Sequence, residues 1–445
     1  PGVFQPGNKD VDPGTLAWPG LTNVDPHALM PGFADAINLG FQYELTPTTR
    51  IEVAYVGSRG HHLSDMSLAY NESSTSTFLN VVNANPGMLS PWDYSNWQFQ
   101  GCTKGGPVNS GYGYGPPLVG ITCPYDGFGG PALAATAPSP QVAVWAMNSY
   151  FYNSYLNYIG LPIGQTSYNS MVIDLVKRAG RGLTGDINYT FSRTRGDTYT
   201  AQGEYSSGYT GVQDFQNLSV AANSLTGYDL THIIKAYATY NLPFGRGQKW
   251  GANSSGFVNA LIGGWQISGL VGYNTGQPFR VAVNSPYWPL WGSLYPNFNV
   301  SGVYGPFSTS AFNAYYAENG VPQPDGTTKP YYYNYYSSSV ASSPIQGNNV
   351  TLGQSPYNTN LRCPGAERES ASLVKGFTMG PDGRYQLSLR VEFYDLFNRH
   401  FYNINGCGGS STSVGAPGSY EQSFGIVTGA DSSHRTGQFG VRFTF

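Results

Sequence analysis

The side chains in this chain best suited to chemistry are four cysteines, six histidines and 25 acidic residues. Cys102, Cys123, Cys363 and Cys407 all fall in long polar segments. They form no CxxC, and no histidine stands at ligand spacing from them, so the sequence form of a tetrahedral metal site is missing. An even cysteine count suggests two disulfides in an oxidising compartment, most simply Cys102–Cys123 and Cys363–Cys407, although four cysteines allow three pairings. His61 and His62 are adjacent. On an extended chain neighbouring side chains point in opposite directions, so this pair chelates poorly and reads as surface. No GxSxG, HExxH or phosphate-cradling loop occurs. No two carboxylates can be placed face to face from sequence, so a glycosidase dyad has no support. Neither an enzyme nor a cofactor is expected.

The elements that must carry these residues are indicated by composition. Charged residues make up 11% of the chain, against about 25% in ordinary soluble proteins. Aromatics reach 15%, with 35 Tyr, and there are 58 Gly. Such a mixture favours strands and turns. The net charge of −3, with no basic block, makes nucleic acid an unexpected partner. No run approaches 18 consecutive apolar residues, so no transmembrane helix is expected. The mean hydropathy of −0.28 suits a transmembrane barrel as well as a soluble protein, because a barrel hides its apolar surface in alternation. The chain begins at Pro1 without a leader, and the expectation is a removed segment or a fragment.

Period-two alternation is the main pattern. Tyr385, Leu387, Leu389, Val391 and Phe393 alternate with Gln386, Ser388, Arg390 and Glu392. A helix would place Arg390 and Glu392 among the apolar residues. About nine such strands are expected, at 36–46, 48–57, 167–179, 183–196, 229–242, 263–275, 370–379, 384–397 and 435–445, with part of a tenth at 279–283. Each approaches the ~9–11 residues that cross the apolar layer at a tilt. Connections of very different length separate them. Thr46-Pro47-Thr48, Gly180-Arg181-Gly182 and Pro381-Asp382-Gly383 are tight turns, whereas the joins at 58–166, 197–228, 276–370 and 399–433 are long. Soluble domains rarely carry such loops, but outer-membrane barrels do, with short periplasmic turns and long extracellular loops. The fold expected is therefore all-β, an antiparallel up-and-down transmembrane β-barrel. Residues 1–35 form an irregular loop or linker, and 36–445 form about nine to ten strands of a larger barrel. A secreted sandwich would need a charged outer face and short loops.

Several runs then point to a family. Val53-Ala54-Tyr55-Val56-Gly57-Ser58-Arg59-Gly60 is the first. Tyr228-Asp229-Leu230-Thr231-His232 opens a strand that ends in Leu242-Pro243-Phe244-Gly245-Arg246-Gly247. Gly263-Gly264-Trp265-Gln266-Ile267-Ser268-Gly269 leads to Asn274-Thr275-Gly276-Gln277-Pro278-Phe279. Glu392-Phe393-Tyr394-Asp395-Leu396-Phe397-Asn398 and the terminal Phe445 complete the set. Over roughly residues 33–445 the chain resembles the C-terminal barrel portion of Oar-like TonB-dependent receptors. That resemblance implies a barrel of about 22 strands, filled by a plug and driven by TonB. It implies uptake of a bulky nutrient, with an oligosaccharide or a peptide as candidates. No run here resembles a TonB box, a plug or a regulatory-like domain, so TonB is expected to act only through an upstream plug not present in this sequence.

Within this picture Glu44, Asp186, Asn188, Arg390, Glu392 and Arg442 are candidates to line a lumen; their bland role is to satisfy one another across strands. Trp288, Trp291, Tyr331, Tyr333 and Tyr335 lie in a long loop, either packing it and the lipid interface or contacting ligand. Phe439, Val441, Phe443 and Phe445 either form a signal for the barrel-assembly machinery or are simply a last strand. Expected partners are outer-membrane lipid, that machinery and, through open sheet edges, further copies of the chain. The rival function is a surface structural or adhesive protein that self-assembles from a barrel fragment.

Overall fold

The computed structural model describes residues 21–24, 31–65, 79–80, 83–84, 103–109, 117–122, 156–159, 161–180, 182–196, 224–283, 297–298, 341–342, 345–346, 349–350, 358–380, 383–399, 401–404, 412–414, 427–431 and 434–445. Each alternating run is a strand. They are β1 Phe33–Thr46, β2 Thr49–Asp65, β3 Leu161–Gly180, β4 Leu183–Gly196, β5 His232–Asn241, β6 Trp265–Asn274, β7 Ala366–Met379, β8 Tyr385–Tyr394 and β9 Thr436–Thr444. Among the described residues these nine form one sheet in chain order, and every neighbouring pair is antiparallel. The sheet is a meander whose first and last strands are not paired with each other.

Consecutive antiparallel strands put successive connections at opposite ends. The turns after β1, β3 and β7 and the β5–β6 connection share one end, and the four long joins share the other. The β5–β6 connection is no tight turn. It is a built piece of 242–264 containing helix α1, Gly256–Ile262, whose N-cap Ser255 accepts a hydrogen bond from the Val258 N–H.

Several boundaries differ from the sequence reading for one physical reason. β2 runs on to Asp65, β3 starts at Leu161 and β7 starts at Ala366, beyond the segments where alternation holds. At ~3.3 Å per residue, the 20 residues of β3 reach roughly 65 Å, about twice the apolar thickness of a bilayer. A strand that outruns the apolar layer need not keep one apolar and one polar face along its excess. β1 likewise starts at Phe33, ahead of residue 36, and Leu21–Val24 pairs in parallel with Leu156–Ile159. The tenth strand is real but lies elsewhere. Pro278–Val283 pairs with Asn358–Arg362 and with Thr412–Val414 in a separate three-stranded sheet. The long joins thus contain local pairings, including Phe401–Ile404 with Val427–Asp431.

Burial is inverted relative to a water-soluble fold. Among the described residues Leu225 and Cys363 are the buried hydrophobic ones, while Ser170, Ser192, Thr226, Asp229, Glu369 and Lys375 are buried. Phe41 is 73% exposed and Phe439 66%. An apolar face left bare along a whole sheet excludes the sandwich arrangement for these strands, since a sandwich buries that face.

Candidate functional site

Register fixes which side chains share a face, because partners across a ladder project to the same side. Leu39, Phe41 and Tyr43 stand beside Tyr55, Val53 and Ile51, and these in turn beside Met171, Ile173 and Leu175. The same face continues through Phe191, Tyr189 and Ile187 to Ile267, Leu373, Val391 and Phe439. Phe443 and Val441 belong to it, opposite Leu387 and Leu389, and Phe445 follows with its side chain 86% exposed. The Tyr385 and Phe443 rings stack with centroids 6.1 Å apart.

The other face is polar. In register across it run Gln42, Glu52, Asp174, Asn188, Lys235, Gly272 and Arg368. Glu44 stands opposite Arg50, Asp186 opposite Val176, and Arg442 opposite Ser388. All six lumen candidates, Glu44, Asp186, Asn188, Arg390, Glu392 and Arg442, therefore lie on this one face. Two clusters of contacts join part of this face. Arg50 Nη2 approaches Asp174 Oδ2 at 3.5 Å, and Asn188 Nδ2 donates to Asp174 Oδ1 at 3.5 Å. Arg390 Nη1 donates to Glu392 Oε1 at 3.3 Å, and Glu392 also accepts from Gln438 Nε2 and from the Tyr394 hydroxyl. Charge is uneven across the face: on β1–β4 Glu44, Glu52, Asp174 and Asp186 outnumber Arg50 and Arg178, whereas on β5–β9 Lys235, Arg368, Arg390 and Arg442 outnumber Glu392. Sequence reasoning missed Arg50, Glu52, Asp174, Lys235 and Arg368 as members of this face. Alternation gave the side of Arg50 and Glu52, but only the register brings all five alongside the others.

The family-like runs converge at the two ends of the sheet. At the loop end, Asp229 is fully buried and pairs with Arg362, Nη2 to Oδ2 2.5 Å. Asp229 also accepts from the Thr194 N–H, its carbonyl accepts from Arg362 Nη1 at 2.8 Å, and Ser192 Oγ donates to the Leu230 carbonyl at 2.7 Å. The run beginning at Asn274 is pressed against the same place. Cys363 N–H donates to the Gln277 carbonyl at 3.0 Å, and a Cβ on Gly276 would run into the Cys363 carbonyl. Cys363 itself is 7% exposed and disulfide-bonded, with its partner outside the described residues. The run ending β8 closes in a turn where Asp395 and Asn398 take left-handed backbone angles, φ 51° and 53°, which short polar side chains tolerate. Asp395 Oδ1 accepts from the Arg399 N–H at 3.0 Å, and Asn398 Oδ1 from the Arg435 N–H at 2.9 Å.

Toward the strand ends the apolar side of the sheet also carries charges, Asp35, Arg59, Lys177, Arg193, Arg195 and Glu367 besides Glu369 and Lys375, and of these Glu369 and Lys375 are buried. Glu369 accepts from the Tyr273 hydroxyl at 2.7 Å and from Arg399 Nε at 3.0 Å, near the loop end. Lys375, near the turn end, donates to the Gly263 carbonyl and lies 5.3 Å from the Trp265 ring centroid and 4.7 Å from that of Phe377. Paired and sheltered, neither has to be stripped bare in an apolar layer. His61 Nε2 lies 3.8 Å from Asp35 Oδ2, and both His61 and His62 rings rest against Phe33.

Trp288, Trp291, Tyr331, Tyr333 and Tyr335 lie outside the described residues, as do Cys102, Cys123 and Cys407. No helix among the described residues is long and apolar enough to cross a membrane, which leaves crossing by strands open.

The outer membrane transporter YddB from Escherichia coli is similar at 8% identity, covering 95% of this chain and 34% of its own, with a TM-score of 0.40. The ferric citrate transporter FecA in its unliganded form gives 8% identity, 92% and 31% coverage and a TM-score of 0.32. The FrpB iron transporter from Neisseria meningitidis gives 10%, 95% and 33%, with 0.32. The chain spans about a third of the length of these transporters. No curated protein sequence matches it significantly. A match to the outer membrane beta barrel domain covers residues 2–438. With its exposed apolar face and polar reverse, the chain belongs to that family and is a protein of the bacterial outer membrane.

Proposed function

We propose that this chain is the C-terminal portion of an Oar-like TonB-dependent receptor barrel that takes up a bulky nutrient, an oligosaccharide or a peptide. The observation that carries the reading is the two-faced nine-strand sheet, apolar on one side and lined on the other by in-register charges. The apolar face meets lipid, and Glu44, Asp186, Asn188, Arg390, Glu392 and Arg442 line the lumen. The short turns face the periplasm and the long joins the exterior. Trp288, Trp291, Tyr331, Tyr333 and Tyr335 supply ring faces for a ligand on the outer loops, which disulfides Cys102–Cys123 and Cys363–Cys407 tie down. Phe439 to Phe445 present the last strand to the barrel-assembly machinery. TonB acts through a plug upstream of these residues, and no catalytic role is assigned.

The test is uptake of labelled oligosaccharides and peptides by cells with and without the gene, repeated after the proton-motive force is collapsed. Uptake that needs both the gene and the force supports the reading; uptake indifferent to the gene overturns it. The intact mass of the protein in the membrane fraction separates this reading from its rival. A species well above 48.0 kDa supplies the remaining strands and the plug. A species of this mass alone favours the second reading, a self-assembling surface protein, for which the two edges at β1 and β9, unpaired among the described residues, speak.

A further inference from the structure

The β5–β6 connection is more elaborate than reversing the chain requires. Asn259 Oδ1 accepts the Arg246 N–H at 2.6 Å, the Trp250 N–H donates to the Pro243 carbonyl at 3.0 Å, and Arg246 Nη2 donates to the Ser254 carbonyl at 3.2 Å. Gly264, at φ +68°, sits so close to Gly376 that a Cβ there would strike its carbonyl. These contacts hold α1 in a fixed attitude. Its less exposed residues are Asn259 and Ile262, while Phe257 is 76% exposed and Leu261 59%, with Val258 beside them and Trp250 also half bare. Four large apolar side chains are thus held outward by a rigid polar frame.

Two observations say what covers them. The patch is continuous with the apolar face of the sheet, because the Trp265 indole N–H donates to the Leu261 carbonyl at 2.9 Å and Lys375, between Trp265 and Phe377, donates to the Gly263 carbonyl. Residues 242–264 also carry Arg246 and Lys249 and no acidic residue, and Lys249 lies 5.2 Å from the Trp250 ring centroid. Apolar and aromatic side chains flanked by cations match the boundary between acyl chains and anionic headgroups.

We infer that α1 and Trp250 form a foot that inserts into the headgroup boundary of the turn-side leaflet, with a phospholipid surface as its partner. The foot sets the depth of β5–β7 in the membrane. The inference rests on the apolar face meeting lipid.

The test uses the full chain in vesicles of phosphatidylethanolamine and phosphatidylglycerol, brominated near the headgroup end of the acyl chains. The signal of Trp250 is the difference between the wild-type protein and Trp250→Phe. Bromine is expected to quench about half of it or more, and a Phe257→Asp/Leu261→Asp variant loses that quenching. Quenching of Trp250 by aqueous acrylamide alone, or by neither agent, overturns the inference; the latter means that protein covers the patch. Val441→Trp serves as a separate reporter on the sheet. If bromine quenches it while sparing Trp250, the foot fails and the lipid-facing sheet stands; if it too is untouched, the membrane reading fails.

Discussion

Among individual side chains, Asp229 bears the heaviest electrostatic demand in the described structure. It is a fully buried carboxylate held by the Arg362 guanidinium and a backbone N–H. Removing one partner of a buried ion pair leaves an uncompensated charge, at a typical loss of about 3–5 kcal/mol. Arg362→Ala is therefore expected to lower the temperature at which the protein loses its heat-modifiable mobility on gels. Combining it with Asp229→Asn, which keeps the acceptor and removes the charge, recovers a large part of that loss. An unchanged midpoint for Arg362→Ala would contradict the role given to this pair. None of this was legible in the sequence: Asp229 and Arg362 are 133 positions apart, and nothing in their surroundings marks them as partners. The glycine at 276 was visible as a residue, but its reason, the Cys363 carbonyl beside it, depends on the tertiary approach of two connections.

A strand offers a sharper experiment, because neighbouring residues look in opposite directions. Ile187 and Asn188 are adjacent on β4, one on the apolar face and one on the polar face. Arginine on the lipid side near mid-membrane costs about 2–4 kcal/mol, whereas lumen-side positions tolerate it. Ile187→Arg is thus expected to depress folding into vesicles by that amount, while Asn188→Arg leaves it nearly unchanged; urea titration in lipid reads both. Equal effects would mean that the two faces have been assigned wrongly. At this scale the sequence was most readable. Period-two alternation located all nine strands of the sheet, since a surface divided between apolar and polar surroundings leaves its imprint on every second residue. It faded at the strand ends, as at Ser58-Arg59 and Glu367-Arg368, where apolar and polar residues no longer take turns. It also hid the burial of two charges on the apolar side, Glu369 and Lys375, whose cover comes from Arg399 and from the β5–β6 connection.

For the whole molecule, the decisive property is that nine strands end in two unpaired edges among the described residues. Free N–H and C=O groups along an edge recruit another strand. The chain expressed alone in detergent is accordingly expected to sediment as assemblies of at least twice its 48.0 kDa. A monodisperse species of that mass would mean instead that β1 and β9 had met and closed a small ring. The seams between hairpins pose a further problem of alignment. A tight turn dictates which residue faces which, but joins of 66–160 or 275–365 dictate nothing, since the entropy of closing such spans varies only slowly with length. A slip of one position would turn a strand's oily side chains toward the polar face. The knot of Asp229, Arg362, Gly276 and Cys363, reaching from the end of β4 to the start of β7, works as a dowel that pegs four strands at matching heights. The chain can therefore lengthen or rewrite its outer loops freely, provided the peg remains.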